Sequence, residues 1–226
     1  NIDNVFEEVM YRPSLGREIA GTPEHVLGYK RDDVLAFKNS YYRASNMTIV
    51  IAGGIDDSVR DLVEQFLGAG KKQSPTPMRF SASAFGAEEK SARKVVQHKK
   101  TDQAQLMLGF PAFAYGDKHN VAATVMNTIL GGSMSSRLFI QIRERRGLAH
   151  MVRSGLENFR DTGYAYIRAG LEEKNINKAL DVMRVETLRI QEKGVSAREL
   201  EDAKTHIRGG LTLSLEDSSA QASWYA

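Results

Sequence analysis

Apolar residues spaced three and four apart alternate along this chain with short, nearly unbroken apolar runs, and the two patterns predict helices and strands in turn. Residues 4–10 begin a short helix, which Tyr11-Arg12-Pro13-Ser14-Leu15-Gly16 breaks. Thr22-Pro23-Glu24 then has the form of an N-cap with proline at the first helical position. A second helix starts near Arg31, where Asp32 and Asp33 suit the positive helix end and Val34, Phe37 and Tyr41 share a face. Residues 47–54, with four β-branched members, read as a buried strand. Asp56 or Asp57 caps the next helix, whose Val59, Leu62, Val63 and Phe66 form a stripe ending at Gly68.

From Gly68 to about Ala92 the pattern fails, and Gly, Ala, Ser, Pro and Lys mark a linker, placed at residues 76–91. Beyond it, residues 94–98 and 104–110 read as strands. Val121, Val125 and Ile129 mark a helix ending at Gly131 and Gly132, and another helix is expected over 135–146. Residues 148–156 and 163–171 read as two strands of an antiparallel hairpin or as neighbours. A long amphipathic helix follows, from Ile176 to its close at Lys193-Gly194, and Ser196-Ala197-Arg198-Glu199 is a capping box for one more. This order predicts an α+β architecture, with helices packed on a mainly antiparallel sheet.

The 226 residues, 42% of them hydrophobic, suffice for one large domain or two small ones and argue against a disordered chain. The net charge of +3 is too small to point to nucleic acid, and no aromatic interleaving offers a platform for bases. No apolar run approaches a membrane span. There is no cysteine, hence no disulfide, thiolate nucleophile or Cys-containing zinc site. The chain opens without Met or a signal-peptide order and stops inside a helical pattern, which is the expectation for a fragment.

The histidines, at 25, 98, 119, 150 and 206, are far apart, so neither His-Glu-x-x-His nor its inverted form His-x-x-Glu-His exists. Glu24-His25 would need histidine at position 21, which is glycine. No complete zinc site is therefore expected within the chain, and no metal ligand is assigned. Gly131-Gly132-Ser133-Met134-Ser135-Ser136-Arg137 lacks the Gly-Lys-Ser/Thr ending of a phosphate loop and reads as a helix-to-helix turn with capping serines. Arg137, Arg143, Arg145, Arg146 and Arg153 form a basic cluster, either a solvated face or a set of planar donors for carboxylate, carbonyl or phosphate.

The segment from Leu130 to His150, Leu130-Gly131-Gly132-Ser133-Met134-Ser135-Ser136-Arg137-Leu138-Phe139-Ile140-Gln141-Ile142-Arg143-Glu144-Arg145-Arg146-Gly147-Leu148-Ala149-His150, resembles the second-domain signature of the insulinase/pitrilysin superfamily, the inverted-motif zinc metallopeptidases that include mitochondrial processing peptidase. The resemblance extends to Leu15-Gly16-Arg17-Glu18-Ile19-Ala20-Gly21-Thr22, to Tyr41-Tyr42-Arg43-Ala44-Ser45-Asn46-Met47 and to Asp102-Gln103-Ala104-Gln105-Leu106-Met107-Leu108-Gly109-Phe110, in the family's order.

This resemblance implies that residues 1–75 are the C-terminal part of a first peptidase-like domain and 92–226 most of a second, non-metal-binding one. Paired domains of this kind, assembled as homo- or heterodimers, enclose a chamber for a peptide substrate. The zinc of such an enzyme sits in the first domain, on ligands outside this chain, so the chain alone is expected to be inactive; a metal-free partner or scaffold subunit is the alternative. In the half lacking metal, an arginine and a tyrosine seven residues apart look towards the substrate. Arg143 matches the arginine, while His150 stands at the tyrosine position, where imidazole can still donate to an oxyanion.

Overall fold

Helices lead the chain: α1 (Ile2–Met10), α2 (Pro23–Gly28), α3 (Arg31–Tyr41) and α4 (Ser58–Leu67). Then come β1 (Ala104–Ala112), α5 (Asn120–Asn127), β2 (Ala149–Asn158), β3 (Gly163–Leu171), α6 (Ile176–Lys193), α7 (Ala197–Ser214) and α8 (Ser218–Tyr225). The computed structural model describes residues 2–11, 15–68 and 93–226. The expected linker at 76–91 lies outside them. The chain divides into two compact units, one of residues 1–19 with 82–207 and one of 20–81 with 208–226.

In the first unit the three strands form an antiparallel sheet in the order β1-β3-β2. Leu108 and Ser154 flank Ile167, and Leu106 and Val152 flank Ala169, so alternate side chains of all three strands share a face. That face carries Ile167, Ala169 and Leu171, packed with Leu138, Ile142, Ala179 and Met183 in the main core. The long helix expected from Ile176 is α6, whose Ala179 and Met183 are buried. Its end at Gly194 donates the cap N–H to Ile190. The capping box on α7 is present: Ser196 N–H donates to Glu199 Oε2 at 2.9 Å, and Glu199 N–H to Ser196 Oγ at 3.2 Å.

The opposite face of the sheet is covered by α1. Its Phe6 and Met10, with Tyr11, pack against Tyr164, and Phe6 meets the Tyr164 ring edge-on at 5.1 Å. Arg93 caps the helix by donating from Nη1 to Val9 O and Met10 O at 2.5 and 2.8 Å. Tyr164 donates its hydroxyl to Glu7 Oε1 at 3.0 Å, and burial, reinforced by that carboxylate, drives its pKa far above the ordinary tyrosine value.

Three expectations need correction. Residues 47–54 are extended at Met47 but form no strand: no described residue pairs with them, and Ile49 and Ile51 remain 43% and 44% exposed. Residues 94–98 are likewise unpaired. A strand is a relation between segments, and an apolar run without its neighbour cannot complete one. The helix expected over 135–146 is shorter and wound differently, with Phe139–Glu144 π-helical, as is the end of the preceding helix at Thr128–Gly132.

Candidate functional site

The two π-helical turns set the framework. Gly131 lies against β2 so closely that a Cβ there would stand 2.7 Å from Ser154 N and Oγ, which admits only glycine. None of Ser133, Ser135 and Ser136 makes the expected side-chain cap; the Ser136 hydroxyl is buried without a partner. The next turn is instead held from below, by Leu138 and Ile142, both fully buried, and from the side, by Arg137.

Arg137 leaves the basic cluster altogether. Its Nε and Nη2 grip the Glu199 carboxylate at 2.7 and 3.0 Å, and Nη2 also donates to Gly194 O at 3.3 Å. The guanidinium holds the Glu199 carboxyl down at about 2, against the desolvation that raises it. One side chain thus ties the turn before Leu138 to the junction of α6 and α7. Arg146 is also spent locally, on Gln141 O and Oε1 at 2.8 and 2.6 Å.

Arg143 stays available. It sits on the π-helical turn next to the buried Ile142, with its guanidinium carbon 5.0 Å from the centre of the Phe139 ring. Its contact with Glu144, 3.9 Å from Nε to Oε1, is long, and 47% of its side chain is exposed. The chain then doubles back: Leu148 N–H donates to Ile142 O at 2.9 Å and Gly147 N–H to Arg143 O at 3.0 Å. Gly147 turns the corner with φ of +58°, a conformation costly for other residues.

His150 lies just past this corner. Ala149 pairs with Leu171 and Met151 with Gly170, so His150 is the extra residue of a β-bulge, outside the ladder and exposed. Beside it, Lys174 at 2.6 Å holds the Glu172 carboxyl below its usual range, and His150 adds a smaller pull. Arg143 and His150 stand at the two ends of one tight turn without a hydrogen bond between them.

The other histidines disperse. His25 Nδ1 lies 3.2 Å from Thr22 Oγ1, and His119 pairs with Asp117 at 2.7 Å. Among the described residues no three His, Asp or Glu side chains converge as a metal-ion ligand set. No helix of the described residues is long and apolar enough to cross a membrane. Two features were invisible to sequence reasoning, the ion pair from Arg168 to Asp3, 165 residues apart, and the covering of the sheet by α1; only the amphipathic pattern of residues 4–10 hinted at the latter.

The chain matches the model of the peptidase M16 inactive domain over residues 29–207. It is 31% identical over 210 residues to the uncharacterized zinc protease YmxG of Bacillus subtilis, covering 93% of this chain and 50% of that protein. It is likewise 31% identical over 223 residues to an uncharacterized zinc protease of Streptomyces coelicolor, covering 97% of this chain and 49% of that protein. The chain therefore spans about half the length of these curated relatives. In fold it is similar to a protease from Helicobacter pylori, with a TM-score of 0.83 and 19% identity over 99% of this chain and 54% of that one. A chain of complex III2 from Candida albicans has a TM-score of 0.78 and 19% identity, over 100% of this chain and 55% of that one.

Proposed function

The chain belongs to the family of the peptidase M16 inactive domain, and on that premise we propose that it is the non-metal part of a zinc-dependent metalloendopeptidase that cleaves peptides in an enclosed chamber. In this reading residues 1–75 close a first domain and 92–226 build most of a second. The zinc is held by ligands outside this chain, and paired domains complete the chamber as a homo- or heterodimer. The chain alone is inactive.

The observation that carries the reading is the turn from Arg143 to His150. Phe139 steadies the Arg143 guanidinium from one side and leaves its donors free. The bulge frees His150 from the sheet. Both side chains are exposed enough to donate to a peptide carbonyl oxygen as it gains negative charge, which is where preorganised donors lower a barrier most. The sheet and its helices supply the rigid wall on which that turn is mounted.

Two measurements test this. The purified 226-residue chain, supplied with zinc, should leave unstructured peptides intact; hydrolysis stopped by chelation would overturn the claim that the metal is held elsewhere. In the longer protein, Arg143→Ala should lower kcat/KM by about 10²-fold, near the loss of one oxyanion donor, without lowering Tm. Unchanged kinetics would remove Arg143 from the site.

A second reading, a metal-free partner or scaffold subunit, draws on His150 standing where the family pattern has tyrosine. The parent sequence decides between them: His-x-x-Glu-His ahead of these residues supports the peptidase, and its absence supports the partner.

A further inference from the structure

The face of the sheet under α1 carries two arginines side by side. Arg153 on β2 and Arg168 on β3 are directly opposite one another, on the face away from the main core, since Val152 and Ala169 beside them point into it. Like charges placed opposite each other in an antiparallel pair repel. A single anion answers them: Arg168 Nη1 donates to both carboxylate oxygens of Asp3, at 2.9 and 3.0 Å. Arg168 Nε is buried and has no acceptor. Arg153 is exposed and has no hydrogen-bond or ion-pair partner among the described residues.

The surroundings keep this imbalance. Along β2 the same face presents Met151, Arg153, Gly155 and Glu157, of which only the last is acidic, and it sits opposite Tyr164, two positions along the face from Arg153. Gly155 adds no side chain, and the Tyr166 ring lies against it. The helix α1 seats its apolar residues against Tyr164 and Tyr166, leaving Arg153 open to solvent. A planar guanidinium with free donors, next to a second one only partly neutralised, is built to take a carboxylate.

We propose that Arg153, backed by Arg168, is a specificity-determining subsite that receives an aspartate or glutamate side chain of an extended peptide. The proposal deepens the peptidase reading and rests on it for the peptide. An incoming carboxylate supplies the second anion that the arginine pair lacks and satisfies the Arg153 donors, which now face solvent. Being fixed on a strand, the subsite requires the acidic residue at one position of the peptide rather than acidity in general.

The test uses the whole chain and two fluorescent, unstructured peptides that differ only by Glu or Gln at one central position. Anisotropy at low salt should give the Glu peptide about tenfold tighter binding, the scale of one charge-assisted contact. Arg153→Gln should abolish the difference with Tm unchanged, and Arg153→Glu should reverse it in favour of a Lys peptide. Equal binding of the Glu and Gln peptides, or a preference that survives Arg153→Gln, overturns the subsite and leaves the peptidase reading standing. Failure of every peptide to bind overturns the subsite and leaves the peptidase reading to the kinetics of the longer protein. Tighter binding of a single-stranded RNA of equal length than of the Glu peptide also overturns the proposal, by making the pair a general polyanion contact.

Discussion

The two compact units use the same kind of helix to different ends. In the unit of residues 1–19 and 82–207, α6 buries Ala179 and Met183 against the sheet, and the π-helical turn ahead of β2 buries Leu138 and Ile142 entirely. In the unit of 20–81 and 208–226, α3 and α4 carry stripes just as regular, yet no described residue there is buried: Phe37 is 58% exposed, Leu62 48% and Phe66 73%. Among the described residues the one ring that meets Phe37 is its helical neighbour Tyr41, at 4.7 Å. Amphipathic periodicity therefore states where a surface should meet the helix, whereas burial requires the surface itself. The first unit contains both partners, and the second displays the pattern for an opposing surface that its described residues do not supply.

The contrast breaks most sharply at Ile142. Replacing it by alanine removes side-chain volume from a site with no exposure, next to Leu138, and should cost about 2–5 kcal/mol of unfolding free energy. A urea titration followed by far-UV circular dichroism checks it. A loss under about 0.5 kcal/mol, the scale of a surface change, would mean that the first unit is as loosely held as the second.

Legibility in the sequence followed the same division. The β2–β3 hairpin, α6 and the capping box of α7 were readable because periodicity, turn length and cap residues lie within a few positions of one another. Residues 47–54 have the composition of a strand, but pairing is decided by segments far away or outside the described residues. The arginine cluster was equally local in appearance and non-local in fact. Arg137 finds its carboxylate 62 residues on, in Glu199, while Arg143 stacks on Phe139 and Arg153 is exposed, so one basic run divides into an anchor, a stacked donor and an open guanidinium. The site residues Arg143 and His150 came from a motif; the bulge that frees His150 has no sequence signal, because a register shift exists only between two strands.

The Arg137–Glu199 tie gives the next effect in size and sharpens the comparison, since it is a polar link within the well-packed unit. Glu199 has its folded pKa lowered from 4.5 to about 2, led by the hydrogen bonds from Arg137. A lowered folded pKa means that the stabilisation is complete above about pH 4.5 and is lost as pH falls towards about 2. Because one third of the Glu199 side chain is exposed, the contribution is discounted to about 1–2 kcal/mol. Glu199→Gln should therefore lower the urea midpoint near neutral pH, with the gap to the parent chain closing on acidification. A gap independent of pH would show that the capping box, which glutamine also serves, and the packing around it matter more than the charge.

The smallest effect falls in the second unit. Phe66 lies on the stripe of α4 and is 73% exposed, so Phe66→Ser removes little contact and should change the stability of this chain by less than about 0.5 kcal/mol. The relatives are about twice as long as this chain, and the peptidase reading gives the stripe an opposing surface in that additional length. There the same substitution should cost about 3 kcal/mol or more, as for a phenyl ring withdrawn from a core. Measuring Phe66→Ser in both lengths separates a helix whose face is solvated by design from one patterned for a neighbour. Equal, negligible effects in the two would leave the regularity of Val59, Leu62, Val63 and Phe66 without a packing explanation. A cost confined to the longer protein would make the exposed stripe of one unit and the buried stripe of the other two states of the same rule.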